Sequence, residues 1–167
     1  MIWERSEGGA ALYGGLVMSV ALSGPLLAVL DLPFWAFWDA CALAMLVGLS
    51  VTRLGCVMNG CCSGRATSGR LALWLPDHRG VWRRRVPTPL LEAAWAVCVL
   101  AAGTAAHAGD AFPGAVFLGS LVAYGAGRLV LEPTRASGRS GGARVNMIIS
   151  GTLVLAGCAV IAVSVAV

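Results

Sequence analysis

Charged residues are scarce in this chain of 167 residues: they make up 12% of it, and lysine is absent. A soluble domain usually carries about 25% charged residues, so a water-soluble globule is excluded because too few polar side chains are present to cover its surface. Apolar residues make up 58% of the chain, and the mean hydropathy is +0.81. This composition is typical of an integral membrane protein.

The charge that is present is mostly positive, since twelve arginines stand against eight acidic residues. A basic balance in a membrane protein usually arises from cytoplasmic loops or from contact with anionic lipid headgroups. No hydrophilic basic face is present, so we expect no nucleic acid partner. The first residues include Glu4 and Glu7 beside a single Arg5. Because the apolar stretch after them is too long for a signal peptide, we expect a membrane span there.

Five apolar segments approach the length of about 20 residues that a helix needs to cross a bilayer. They cover residues 10–30, 34–52, 89–108, 112–131 and 146–166. The sequence therefore predicts an all-α fold, a polytopic membrane helix bundle of about five transmembrane helices in one integral membrane domain, 1–167. With five spans, one side of the membrane receives ten of the arginines: Arg5, Arg65, Arg70, Arg79, Arg83, Arg84, Arg85, Arg135, Arg139 and Arg144. The positive-inside rule makes that side cytoplasmic.

Two arginines fall at membrane depth, Arg53 at the end of the second span and Arg128 near the end of the fourth. Such a charge costs at least about 2.5 kcal/mol on insertion scales, so it needs a partner or a function. Tyr124, Arg128 and Glu132 share one helix face. Arg128 either pairs with Glu132 and extends to the interface, or it faces a cavity and binds an anionic group. Glu92, just inside the third span, is a candidate partner for Arg53 or Arg128.

A glycine-rich segment, 53–64, follows directly from the second span and reads RLGCVMNGCCSG. Its glycines allow backbone N–H groups to approach a ligand, and its arginine can bind phosphate with a fork of donors. The segment therefore predicts a site for a lipid headgroup at Asn59, Gly60 and Gly64. The alternative is a helix C-terminus that runs into an ordinary loop.

Cys56, Cys61 and Cys62 also lie in this segment. Their spacing matches no zinc motif, and His78 and His107 fall on opposite sides of the five-span arrangement. We therefore expect no metal site and no cofactor. A thiol-redox membrane protein built on these three cysteines is a weaker alternative.

Four motifs, in order along the chain, resemble those of the prolipoprotein diacylglyceryl transferase family. The family's Gly-Arg-x-Gly-x-Phe-x-Asn-Gly block matches at Arg53, Gly55, Asn59, Gly60 and Gly64. Its Arg-His-Pro-Ser-Gln-Leu-Tyr-Glu block matches at Arg85, Pro87, Leu90 and Glu92. Its Tyr-Gly-x-x-Arg-x-x-x-Glu-x-x-Arg block matches at Tyr124, Gly125, Arg128, Glu132 and Arg135. The His-Gly-Gly motif corresponds to Tyr13, Gly14 and Gly15.

The resemblance implies a multi-pass enzyme of the bacterial cytoplasmic (inner) membrane. It would move the diacylglyceryl group of phosphatidylglycerol to a cysteine thiol of a prolipoprotein or a similar lipobox peptide, and release glycerol-1-phosphate. By this resemblance, the catalytic residues are Arg53, Arg128, Tyr13 and Glu132. The substrate-binding residues are Asn59, Gly60, Gly64, Gly14, Gly15, Tyr124 and Glu92.

Two family histidines are replaced here, by Tyr13 and Val86. Because a tyrosine of pKa about 10 is a weak base at neutral pH, the chain lacks an obvious group to deprotonate the thiol. One alternative is therefore a catalytically impaired phospholipid-binding membrane subunit, and another is a related transferase with a different acceptor. The resemblance also places the 53–64 side outside the cytoplasm, opposite to the distribution of arginines.

Overall fold

The computed structural model describes residues 9–62, 64–76, 80–109, 111–135 and 141–166. Most of them form helices, which confirms the predicted all-α membrane helix bundle. The helices are α1 (Gly9–Val29), α2 (Phe34–Met58), α3 (Thr88–Ala108), α4 (Ala115–Leu131) and α5 (Gly141–Ala166). A 3-10 turn, Glu132–Thr134, continues α4, and two short strands, β1 (Leu73–Pro76) and β2 (Trp82–Arg85), lie between α2 and α3.

Among the described residues, three helical stretches are long and apolar enough to cross a membrane: Phe34–Met58, Thr88–Ala108 and Ala115–Thr134. The first and last helices contain shorter apolar stretches, Gly14–Val29 and Met147–Val163. Large apolar side chains are exposed on each of the five helices, among them Val29, Val51, Val97, Val130 and Leu155. Such surfaces are stable against lipid tails rather than water.

Small residues allow the central helices to approach one another. A side chain at Gly127 of α4 would overlap the indole of Trp95 on α3, whose Nε1 donates a hydrogen bond to the Ala123 carbonyl at 2.9 Å. Two residues earlier, a Cβ at Gly125 would lie 2.7 Å from Val154 of α5. Glycine at these points keeps α4 in contact with both neighbours, as is common in membrane bundles.

At one end of the bundle, the start of α2 is hydrogen-bonded to the start of α4. Asp39 of α2 is buried and accepts hydrogen bonds from the backbone N–H groups of Gly114, at 2.7 Å, and Phe117, at 2.8 Å. The carboxylate satisfies donors at an N-terminus that has no acceptor within its own helix. These bonds fix α2 and α4 side by side and parallel.

The connection between α2 and α3 differs from its expected form in two ways. Helix α2 continues six residues beyond the predicted span end at residue 52, to Met58, and turns at Gly60, where φ is +63°. The chain then forms an antiparallel hairpin in which Leu73 pairs with Arg85 and Pro76 with Trp82. Each strand has only four residues, and neither β1, which reads LWLP, nor β2, which reads WRRR, shows an alternating apolar pattern, so the sequence did not predict them.

The segments that flank the hairpin connect the end of α2 to the end of α4. The Arg65 N–H donates to the Thr134 carbonyl at 2.9 Å, and the Val86 N–H donates to the Arg65 carbonyl at 3.1 Å. The Thr88 and Thr134 hydroxyls are 3.2 Å apart. The chain after α2, the start of α3 and the end of α4 therefore meet in one place.

Candidate functional site

Five charged side chains meet where these segments converge, and we call them the arginine–glutamate cluster: Arg53, Glu92, Arg128, Glu132 and Arg135. The first three lie on α2, α3 and α4, Glu132 lies in the 3-10 turn after α4, and Arg135 directly follows that turn. Glu92 lies at its centre. Its Oε2 is 2.7 Å from Arg53 Nε, and its Oε1 accepts hydrogen bonds from Arg128 Nη1 at 3.3 Å and Arg135 Nη2 at 2.8 Å. The sequence suggested Arg53 or Arg128 as the partner of Glu92, and the structure pairs it with both.

Local sequence explains why these side chains meet. Helix α3 begins with Pro89 in its first turn, where a missing N–H group costs nothing, and Glu92 follows one turn later. Arg128 lies in the last turn of α4, next to Gly127, whose lack of a side chain allows α4 to approach α3. Glu132 is four residues beyond Arg128, and its Oε2 is 3.0 Å from Arg128 Nη2. Helix periodicity therefore brings Glu132 to Arg128, and the close packing of α3 against α4 brings Glu92 to the same arginine.

The cluster is buried and carries excess positive charge. The exposed fractions of Arg128 and Glu132 are 5% and 3%, and those of Glu92, Arg53 and Arg135 are 7%, 13% and 15%. Three guanidinium groups face two carboxylates, which leaves a charge of +1 within these five residues. Buried charges of one sign are stable only with a partner, so the surplus favours an anionic ligand.

Two donors of the cluster are not aligned with an acceptor among the described residues. Within the described residues, Arg53 Nε and Arg128 Nη2 make no hydrogen bond of good geometry, although each lies within 3.0 Å of a carboxylate oxygen. Glu132 Oε1 is likewise without a donor among them. These contacts are mainly electrostatic, so N–H groups are left from which a phosphate oxygen can accept hydrogen bonds.

An apolar cavity of about 360 Å³ lies beside the cluster. It is lined by side chains of α1, α2 and α4: Leu16, Ala42, Met45, Leu46, Leu49, Thr52, Arg53, Phe117, Ser120, Leu121 and Tyr124. Because α2 and α4 are parallel, Arg53 and Tyr124 lie at the same end of it, and the Tyr124 phenol interacts with the Arg53 guanidinium. The volume is in the range of about 300–1,000 Å³ that is usual for ligand sites.

The structure brings together part of the predicted set of site residues. Arg53, Glu92, Tyr124, Arg128 and Glu132 lie in the cluster or at the adjoining end of the cavity. The cluster also contains Arg135, which was left out of the predicted site residues. Its signal was available, because it stands three residues after Glu132 in the motif that the chain shares with the family.

The glycine-rich segment contributes differently from its predicted role. Asn59 is exposed at the end of α2, and Gly60 is buried in the turn after it. Gly64 is buried against the neighbouring backbone, where a side chain would overlap the Val86 carbonyl and the Thr88 hydroxyl. The close packing at Gly64 is a structural reason for glycine at that position, whatever its part in binding.

The residues of the first motif lie on α1. Gly14 and Gly15 are exposed, and no atom would lie within 4 Å of a side chain at either position. Leu16, the next residue, lines the cavity. The side chain of Tyr13 lies outside the described residues. The described part of α1 therefore borders the cavity, but Gly14 and Gly15 make no contact with the cluster.

The known proteins that match this chain belong to the family whose motifs it resembles. The model of the family "Prolipoprotein diacylglyceryl transferase" matches residues 1–163. The phosphatidylglycerol–prolipoprotein diacylglyceryl transferase of Bacillus licheniformis is 31% identical over 96% of this chain, and that of Geobacillus kaustophilus is 27% identical over 92%. The enzyme of the same name from Rhodopirellula baltica is 39% identical over 42% of this chain.

The chain spans less than two thirds of the length of these relatives: 62% of the Bacillus protein, 59% of the Geobacillus protein and, in its match, 15% of the Rhodopirellula protein. No solved structure matches. The family match covers nearly the whole chain, including every residue of the arginine–glutamate cluster. The chain belongs to the prolipoprotein diacylglyceryl transferase family.

Proposed function

We propose that the protein is a transferase of the bacterial cytoplasmic membrane, with its single integral domain crossing the bilayer several times. It moves the diacylglyceryl group of phosphatidylglycerol to a cysteine thiol of a prolipoprotein-like peptide and releases glycerol-1-phosphate. The observation that carries the proposal is the position of a buried, positively charged cluster at one end of an apolar cavity. An anionic phospholipid has the matching chemistry, with a phosphate beside long acyl chains.

Phospholipid binding would use both parts of this arrangement. The acyl chains enter between α2 and α4, along Leu46, Leu49 and Leu121, and the phosphate reaches Arg53. Arg53 and Arg128 supply the forked donors that suit phosphate oxygens. Glu92 and Glu132 hold these arginines in place through the contacts of 2.7 Å and 3.0 Å. Asn59, Gly60 and Gly64 are proposed to shape the headgroup side of the site, with Gly14 and Gly15 on α1.

The reaction forms a bond between the thiol sulfur and the terminal carbon of the diacylglyceryl group while the bond from that carbon to the phosphate oxygen breaks. The electron pair leaves with glycerol-1-phosphate, and the thiol proton passes to a base. Negative charge on the leaving phosphate therefore grows in the transition state, and Arg53 and Arg128 would stabilise it. Tyr13 is the proposed base and would accept the proton as its phenolate, a form that a phenol of pKa about 10 populates only slightly at neutral pH.

A second candidate function is a phospholipid-binding membrane subunit without catalysis. It is favoured by the replacement of the two family histidines by Tyr13 and Val86. The binding site would be the same, so binding alone does not separate the two functions. Turnover does.

The test uses the purified full chain in detergent, phosphatidylglycerol and a short lipobox peptide, with mass spectrometry of the peptide. We expect a diacylglyceryl mass increment that falls on the order of 100-fold in Arg53→Lys and in Arg128→Lys, because lysine keeps the charge but loses the forked donors. Arg84→Lys is the matched control, since Arg84 lies exposed on β2 and takes no part in the cluster. Its activity should be unchanged.

Other outcomes of this assay decide between the functions. Phosphatidylglycerol that binds without forming a product supports the binding subunit. An increment on a thiol compound other than the lipobox peptide supports a related transferase with a different acceptor. If the folded protein neither binds anionic lipid nor forms a product with it, both proposals are overturned.

A further inference from the structure

Three thiols converge next to the arginine–glutamate cluster, and the proposed reaction uses none of them. The sulfur atoms of Cys56, Cys61 and Cys62 all lie within 4.8 Å of one another. Cys56 belongs to the last turn of α2, and the other two follow in the turn that ends that helix. All three cysteines are free.

The backbone brings the thiols together in a way that their spacing does not show. Gly60 has a φ of +63° and Cys62 a φ of +56°, so the chain turns back on α2 through two left-handed residues. Cys61 Sγ thereby comes within 3.7 Å of the Cys56 carbonyl oxygen. A left-handed conformation is uncommon for a residue with a side chain and often marks a functional site.

Thiolate sulfur is a preferred ligand of soft closed-shell cations such as zinc. With zinc–sulfur bonds of about 2.3 Å in a tetrahedron, sulfur atoms lie about 3.8 Å apart. The sulfur separations here are at most 4.8 Å, so small side-chain movements would bring all three thiols to one ion.

We propose that Cys56, Cys61 and Cys62 form a three-thiolate zinc site whose fourth coordination position is open. On binding, each thiol releases its proton to solvent and forms one sulfur–zinc bond, so that the site carries a charge of −1. Arg53 lies three residues before Cys56 on the same face of α2 and close to Cys62, so its positive charge partly offsets the negative charge of the occupied site. This site does not depend on the proposed transferase function.

The test starts from the full chain in detergent, reduced and freed of metal with a chelator, and titrated with zinc against a chromophoric competitor. We expect one zinc ion per chain. Cys56→Ser, Cys61→Ser and Cys62→Ser should each weaken binding on the order of 100-fold or more, since even outer-shell changes cost about 10–100-fold. The matched control replaces the other cysteines together, as Cys41→Ser, Cys98→Ser and Cys158→Ser, and should bind zinc as the wild type does.

A second measurement needs no substitution and therefore does not depend on how the variants fold. Alkylation of the reduced wild type is followed by mass spectrometry with and without zinc. We expect zinc to slow the modification of Cys56, Cys61 and Cys62 at least tenfold and to leave that of the exposed Cys98 and Cys158 unchanged. Equal alkylation of all five cysteines with and without zinc overturns the proposal. A reduced protein that takes up no zinc, and that forms a disulfide among Cys56, Cys61 and Cys62 on oxidation, overturns it as well.

Discussion

The two ends of the parallel pair α2 and α4 hold their buried carboxylates in different ways. At one end Asp39 accepts two short hydrogen bonds from backbone N–H groups, at 2.7 Å and 2.8 Å. At the other end Glu92 and Glu132 face three guanidinium groups, and two of the donors lack an aligned acceptor among the described residues. The first end is satisfied within the fold. The second keeps a positive charge and free donor geometry, as a site for an anionic ligand requires.

The largest effect is expected from Glu92→Ala. Three arginines lose the carboxylate that they share, and breaking a buried ion pair by removing one partner costs about 3–5 kcal/mol. Equilibrium unfolding in mixed detergent micelles measures this loss of stability. Glu92→Gln keeps the shape and one acceptor oxygen and should lose less. A change below about 1 kcal/mol in Glu92→Ala would show that the arginines find other partners.

Asp39→Ala tests the end of the bundle that we regard as purely structural. It leaves the N–H groups of Gly114 and Phe117 without their acceptor, and we expect the free energy of unfolding to fall by about 2 kcal/mol. Phospholipid binding per folded molecule should be unchanged, because the cluster lies at the other end of α2. Binding measured on the folded fraction checks this. Loss of binding in folded Asp39→Ala would mean that the two ends are coupled.

Much of the membrane bundle could be predicted from sequence because long apolar runs are a local signal. The acid–base pairing of Glu92 was also predictable, since a charge inside a span needs a partner. The sequence places the end of the second span at residue 52, because Arg53 bounds the apolar segment. In the structure Glu92 of α3 compensates that charge, so the helix continues past it to Met58.

The hairpin and the thiol cluster had no local signal. The backbone segments that hold the hairpin in place pair with residues far away in the chain, such as Arg65 with Thr134, so no short pattern reports them. The approach of Cys61 to Cys56 depends on the positive φ angles of Gly60 and Cys62. Spacing alone shows neither angle. The site could be predicted where helix periodicity places side chains, but not where turns do.

Gly64→Ala tests whether close packing supports the ligand end of the bundle. The added methyl group would overlap the Val86 carbonyl and the Thr88 hydroxyl, and we expect a loss of about 1.5 kcal/mol from overpacking. The same change at Gly69 is the matched control, because its nearest contact would be the Thr67 hydroxyl at 3.5 Å. Unfolding measurements on both variants separate steric overlap from the general effect of adding a methyl group. Equal stability of the two variants would contradict the packing described for Gly64.

The smallest effect is expected midway between the two ends, at Ser120. Its hydroxyl is buried beside the cavity and has no hydrogen-bond partner among the described residues, so Ser120→Ala should raise the free energy of unfolding by about 1 kcal/mol. Ser50→Ala is the control, because the Ser50 hydroxyl already donates to the Leu46 carbonyl at 2.8 Å and should gain nothing from removal. If Ser120→Ala lowers stability instead, the hydroxyl is satisfied in the free protein. In that case the apolar middle of the cavity contains a polar contact and the contrast between the two ends is less sharp.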